Sequence, residues 1–175
     1  NILGRPAESF AQWVADHLND PQVRLIEVDV DTSAYGQGHI QGAVGVNWTT
    51  QLGDPIRRDI PSKEAWGKLL GDAGVSADTR IIFYGDNNNW FAAFAYWLFK
   101  LYGHQNVSLM NGGRKKWVDE GRPLTQAPAQ VATTTYHAQE GDARLRAYRD
   151  QVAAAIERAG AALVDVRSPK EYSGE

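Results

Sequence analysis

Near its end the chain reads Leu163-Val164-Asp165-Val166-Arg167-Ser168-Pro169-Lys170-Glu171-Tyr172, a near-repeat of Leu25-Ile26-Glu27-Val28-Asp29-Val30-Asp31-Thr32-Ser33-Ala34-Tyr35. Leu163 falls on Leu25, the acid Asp165 on Glu27, Val166 on Val28, and Tyr172 on Tyr35 once a single residue is inserted. A helical pattern precedes each run, Ser9 to Leu18 before the first and Tyr148 to Arg158 before the second. Helix, strand and aromatic recurring together mark a tandem domain, and the second copy has only begun where the sequence reaches Glu175.

Working outward from the repeat, strands and helices alternate. Val23 to Val28 is a nearly continuous apolar run rich in β-branched residues, the pattern of a strand covered on both faces. Ala43 to Val46, Arg80 to Tyr84, Val107 to Met110 and Ala161 to Val166 read as further strands. Ser9 is placed to cap the first helix, whose Phe10, Trp13, Val14 and Leu18 share a face. Pro61-Ser62 opens a second helix that Gly74 stops. Trp90 to Tyr102 is apolar nearly all round, which predicts a buried helix ending at Gly103. Gly112-Gly113 leads into a fourth, and Tyr148 to Arg158 forms the fifth. The alternation predicts an α/β fold with a mainly parallel five-stranded sheet and helices on both faces. The stretch 126–141, rich in Thr, Ala and Gln, breaks the rhythm and reads as a linker between a domain at 1–125 and the start of another at 142–175.

Composition bounds the function. A hydrophobic fraction of 43% and a charged fraction of 22% are those of an ordinary globular protein. A net charge of -3 argues against an electrostatic nucleic-acid or membrane-surface partner. No apolar stretch reaches the length of a membrane span and no signal peptide is read, so a cytoplasmic protein is the default expectation. The 175 residues contain no cysteine, which removes disulfides, thiolate metal sites and thiol nucleophiles together.

Three segments carry a specific likeness. Gly38-His39-Ile40-Gln41-Gly42-Ala43 resembles the H-I-x-G-A signature of the rhodanese superfamily. Asn111-Gly112-Gly113-Arg114-Lys115-Lys116-Trp117 resembles its G-G-x-x-x-W segment, and Asp165 to Tyr172 is similar to the D-x-R-x-x-x-E-[FY] opening of a rhodanese domain. The likeness is greatest to the N-terminal, catalytically silent domain of two-domain bacterial thiosulfate sulfurtransferases, followed by the start of the second domain.

The resemblance implies a cysteine nucleophile on the loop after a central strand of the second copy, held as thiolate and persulfide by inward amides and a helix dipole. Such an enzyme takes thiosulfate, or mercaptopyruvate, as donor and cyanide or a thiol as acceptor, with no cofactor and no metal. In this chain the equivalent loop is Gly85 to Asn89, and Asp86 occupies the nucleophile position. A carboxylate cannot hold sulfane sulfur, so no catalytic residue is expected here; Asp86 reads as a fixed anion that caps the following helix. Asn87, Asn88, Asn89 and Trp90 are candidates for one wall of a cleft facing the remainder of the C-terminal domain. Asp165 and Arg167 are the matching candidates in the second copy. Glu171 departs from relatives that carry an Arg there as a substrate contact, which bears on thiosulfate as donor. His39 reads as a structural hydrogen-bonding residue, His104 and His137 lack metal-ligand spacing, and Arg114-Lys115-Lys116 reads as a solvated face from which Arg114 could reach a cleft.

Two other classes are set beside this one. A non-enzymatic rhodanese-like binding or scaffold domain leaves the Leu163 strand without a purpose. Asp29-Val30-Asp31-Thr32 is similar to the D-x-D-x-T of haloacid-dehalogenase-type phosphatases, yet the counterpart of this segment in the second copy is Arg167-Ser168-Pro169-Lys170, where a phosphatase nucleophile has no place.

Overall fold

The apolar runs between Val23 and Leu109 pair with one another, and every pairing is parallel. The computed structural model describes residues 9–54, 56–57, 59–158 and 160–175, so the first eight residues of the domain expected at 1–125 lie outside the described residues. In chain order the elements are α1 (Phe10–Asp16), β1 (Val23–Asp29), α2 (Ser33–Gln37), β2 (Val44–Asn47), α3 (Trp48–Gln51), α4 (Lys63–Asp72), β3 (Arg80–Tyr84), α5 (Trp90–Leu101), β4 (Val107–Leu109) and α6 (Gly113–Asp119), then α7 (Arg149–Glu157) and α8 (Pro169–Ser173). The start signals are used as read: Ser9 Oγ accepts from the Gln12 amide at 3.1 Å and Ser62 Oγ from the Ala65 amide at 3.2 Å.

The sheet has the order β2-β1-β3-β4. Alternation along the strands sends side chains to two cores. Ile26 and Val28 of β1, with Ile81 and Phe83 of β3, pack against Trp66 and Leu70 of α4 and Leu98 and Phe99 of α5. Leu25, Ile82 and Tyr84 point the other way, toward Ala11 and Val14 of α1 and Trp117 of α6. Helices therefore cover both faces. Phe99 meets Phe83 and Trp66 edge-on, each at 4.9 Å between ring centroids, a geometry that adds about 1 kcal/mol per pair beyond area burial.

The sheet has four strands among the described residues, not five. The expected fifth, Ala161 to Val166, has no regular secondary structure and joins no ladder, and Val164 and Val166 are 80% and 86% exposed. The chain divides into one compact unit ending at Asp142 and another beginning at Ala143. Among the described residues the second unit contains α7 and α8 and no strand, so the backbone of this segment finds no strand of its own unit to bond. Three short helices, α2, α3 and α8, were not foreseen; each is four or five residues long.

Residues 126–141 hold no helix or strand. They belong to the first unit and bond to its helices and loops: the Thr134 amide donates to Gly71 O at 3.0 Å, the Gln139 amide donates to Tyr102 O at 3.1 Å, and the Tyr136 hydroxyl lies 3.0 Å from His104 Nδ1.

Candidate functional site

At the carboxyl ends of β1 and β3 the backbone of Gly85 passes so close to its neighbour that a Cβ there would lie 2.3 Å from Val28 O, so only glycine fits. The next four residues make an unusual turn. Asn87, Asn88 and Asn89 all adopt left-handed conformations, with φ of 47°, 55° and 66°. Asparagine is the non-glycine residue that tolerates this region best, so three in succession are what such a turn demands. Asn89, itself buried, fastens the turn: its Oδ1 accepts from the Gly85 amide at 3.0 Å and its Nδ2 donates to Met110 O at 2.7 Å. The Asp86 amide donates to Asp29 Oδ1 at 2.7 Å, tying the loop to the end of β1.

Under this loop lies a cluster of three carboxyl groups around one guanidinium. Arg114, on α6, donates from Nη1 to Glu27 Oε1 at 2.8 Å and from Nη2 to Ala34 O at 3.1 Å and to Gly38 O. Its Nε stands 3.7 Å from Asp86 Oδ1, and its backbone amide donates to Gly85 O at 3.1 Å. Gly113 makes room for this, since a Cβ on it would meet Asn89 Oδ1 at 2.5 Å and Gly85 O at 2.6 Å. Glu27 is 1% exposed. Burial, reinforced by Asp29 and Asp86 and opposed by Tyr84 and Arg114, pushes its carboxyl group up to about 7. Burial likewise raises Asp29 above its ordinary value, against the loop amide that favours its charged form. Glu27 Oε2 and Asp29 Oδ2 are buried without partners among the described residues.

The structure brings Asp86, Asn87, Asn88, Asn89 and Trp90 together as one turn opening into α5. Trp90 is 65% exposed, unlike Ala92, Ala95, Leu98, Phe99 and Leu101 of that helix, which are buried. The helix is not capped as expected: the Asp86 side chain makes no capping hydrogen bond, and the residue before Trp90 is left-handed Asn89. Asp165 and Arg167 belong to the second unit, where they pair with each other at 2.7 Å. His39 holds its ring between the carbonyls of Tyr35 at 2.9 Å and Ala127 at 3.0 Å, a structural role. The solvated-face reading holds for the two lysines, while Arg114 turns inward and forms the centre of the cluster. Lys115 and Lys116 are surface partners of Asp119 and Glu120, whereas Arg114 is largely buried. The missed signal was Glu27 itself, an acid inside an apolar strand that needs a cation to face it.

The molecule is thus a parallel α/β protein with a tight, glycine-started turn at the carboxyl end of a central strand and the head of a helix, the end of such sheets outside which ligands generally bind. The chain belongs to the rhodanese-like domain family, whose model matches residues 10–120. Among relatives, a protein of Mycolicibacterium smegmatis provisionally named a thiosulfate sulfurtransferase is 52% identical over 93% of this chain and 58% of its own length. The sulfur carrier protein TtuD of Thermus thermophilus is 49% identical over the same shares. The chain thus spans under two thirds of the length of these relatives. In fold it is similar to SseA of Escherichia coli, described as a 3-mercaptopyruvate sulfotransferase, with a TM-score of 0.74 at 23% identity over 86% of this chain and 63% of that one. Among the described residues no helix is long and apolar enough to cross a membrane.

Proposed function

We propose that this chain is the sulfur-free copy of a two-copy thiosulfate sulfurtransferase, in which a cysteine of the other copy carries the sulfur. The observation that carries the reading is Asp86: it occupies the first side-chain position of the turn after β3, in a chain with no cysteine at all. In the proposed reaction a thiolate of the other copy attacks the outer sulfur of thiosulfate. The new S–S bond forms as the old one breaks, and sulfite leaves with the bonding electron pair. Cyanide or a thiolate then takes the outer sulfur from the persulfide, and the cysteine returns to its thiolate form. A carboxylate oxygen at Asp86 can do neither step.

In this reading residues 1–125 form the silent copy, 126–141 the connection, and 142–175 the opening of the catalytic copy. Asn87, Asn88, Asn89 and Trp90 form one wall of the cleft that receives the donor, and Asp165 with Arg167 lies near the catalytic loop of its own copy. Three carboxyl groups lie about the one guanidinium beneath this wall, which supports a reading in which the wall borders the donor and the other copy supplies the charges that hold it. The names of relatives about half identical in sequence support sulfur transfer.

The experiment compares the 175-residue chain with a protein extended through a second copy, supplying thiosulfate or 3-mercaptopyruvate and measuring thiocyanate formed from cyanide. The extended protein is expected to turn over and to gain the mass of one sulfur atom, lost on treatment with cyanide. Thiocyanate formation by the 175-residue chain alone sinks the proposal.

A further inference from the structure

At the opposite end of the sheet, seven residues of β1 and so about 20 Å away from the 85–89 turn, lies a second concavity. It has a volume of about 710 Å³ and sits between the amino ends of β1 and β3 and the segment from Thr125 to Thr134. Volumes of this order hold organic molecules rather than single inorganic ions. Arg24, the second residue of β1, is the one arginine or lysine in its lining among the described residues.

Arg24 has no evident structural employment. Its Nε is buried and meets no acceptor among the described residues. Its Nη2 lies beside Gly74, 3.4 Å from where a Cβ on that residue would stand, at the carboxyl end of α4. A cation is welcome at a helix carboxyl end, but two of the carbonyls there already accept backbone amides. Leu70 O accepts from the Val75 amide at 2.9 Å, and Gly71 O accepts from the amides of Gly74 and Thr134, each at 3.0 Å. The lining acid, Asp20, directs Oδ1 to the Gln22 amide at 2.8 Å. Burial lowers the guanidinium below its ordinary value without discharging it, so the fold carries a partly desolvated positive charge with an unmet N–H. Such a group destabilises a structure unless something pairs with it.

We propose that this cavity binds a small organic anion, with a carboxylate or phosphate seated on the Arg24 guanidinium and a polar body against Gln41, Ser76 and Gln130. Guanidinium is the side chain best shaped for such head groups, because its parallel N–H bonds match two oxygens at once. The site is separate from the turn at Asp86 and does not depend on the reading of that turn.

The intact protein is titrated with inorganic phosphate, acetate and 3-phosphoglycerate, following the Arg24 Nε–H resonance and the thermal midpoint. A saturable shift of that resonance is expected, with 3-phosphoglycerate binding at least about tenfold more tightly than either single head group, since it also reaches the polar lining. The phosphate and acetate arms tell which head group the guanidinium selects. Arg24→Met is expected to lose the shift and the ligand-induced rise in midpoint, while its ligand-free midpoint stays level or rises. No saturable shift with any of the three probes overturns the proposal, as does a ligand-induced rise retained by Arg24→Met. If Arg24→Met does not fold, Arg24→Lys takes its place: weakened binding of 3-phosphoglycerate supports the site, and unchanged binding overturns it.

Discussion

Glu27 stands in a strand between the buried apolar residues Ile26 and Val28, and its chemistry follows from that placement. A carboxyl group held up to about 7 keeps its proton in the folded protein at pH values where the unfolded chain has released it. The stability that Glu27 contributes is therefore fully present below the ordinary carboxylate range and is lost as pH rises toward 7, by about 3 kcal/mol for a shift of this size. Asp29, raised in the same direction, adds to the slope. Urea unfolding between pH 4.5 and 8 is expected to show this decline, and Glu27→Gln to flatten it; a flat profile in the parent protein contradicts the assignment. The asparagines permit a sharper test. Asn88→Gly is expected to leave the urea midpoint almost unchanged, whereas Asn88→Val lowers stability by about 1–2 kcal/mol through the left-handed backbone alone. Asn89→Ala loses two buried hydrogen bonds as well and is expected to cost about 2–4 kcal/mol.

At the scale of elements, α4 carries a contradiction of ordinary helix propensity. Gly67 and Gly71 sit inside it, where alanine ordinarily improves a helix by about 1 kcal/mol. Here a Cβ on Gly71 would stand 2.5 Å from Thr134 O, and one on Gly67 would stand 2.9 Å from Tyr136 O. Gly71→Ala is thus expected to destabilise the protein and to speed proteolysis within residues 128–139, as the segment is pushed off its helix. The same contact shows what the sequence could reveal. Periodicity located four strands, five helices and the caps at Ser9 and Ser62, because each is a local arrangement of apolar and capping residues. The four- and five-residue helices α2, α3 and α8 are too short to leave a period. The seating of Thr134 on Gly71 joins residues far apart in the chain, and no local pattern records it. The candidate turn was legible for a different reason: a central strand followed by Gly85 and three asparagines announces a strained turn. The Arg114 cluster below it was hidden, since a basic run looks alike whether one member turns inward or none does.

For the molecule as a whole, the two units differ in how far they satisfy themselves. The first buries two cores about its sheet. The second leaves Ile156, Val164, Val166 and Tyr172 each at least two-thirds exposed. If these residues open a second copy, hydrogen exchange at Ala161 to Val166 is expected to be fast in the 175-residue chain and strongly slowed in a protein that extends through that copy. Equal rates in both would remove the tandem reading at its root. The exposed indole of Trp90 has a practical side. Trp66 and Trp117 are sealed inside the protein, while Trp90 stands in solvent at the mouth of the Asp86 turn. Its emission is the component a soluble quencher such as iodide should reach most readily, and Trp90→Phe should remove it. The turn thus comes with a built-in lamp, which dims or brightens as anything settles over it.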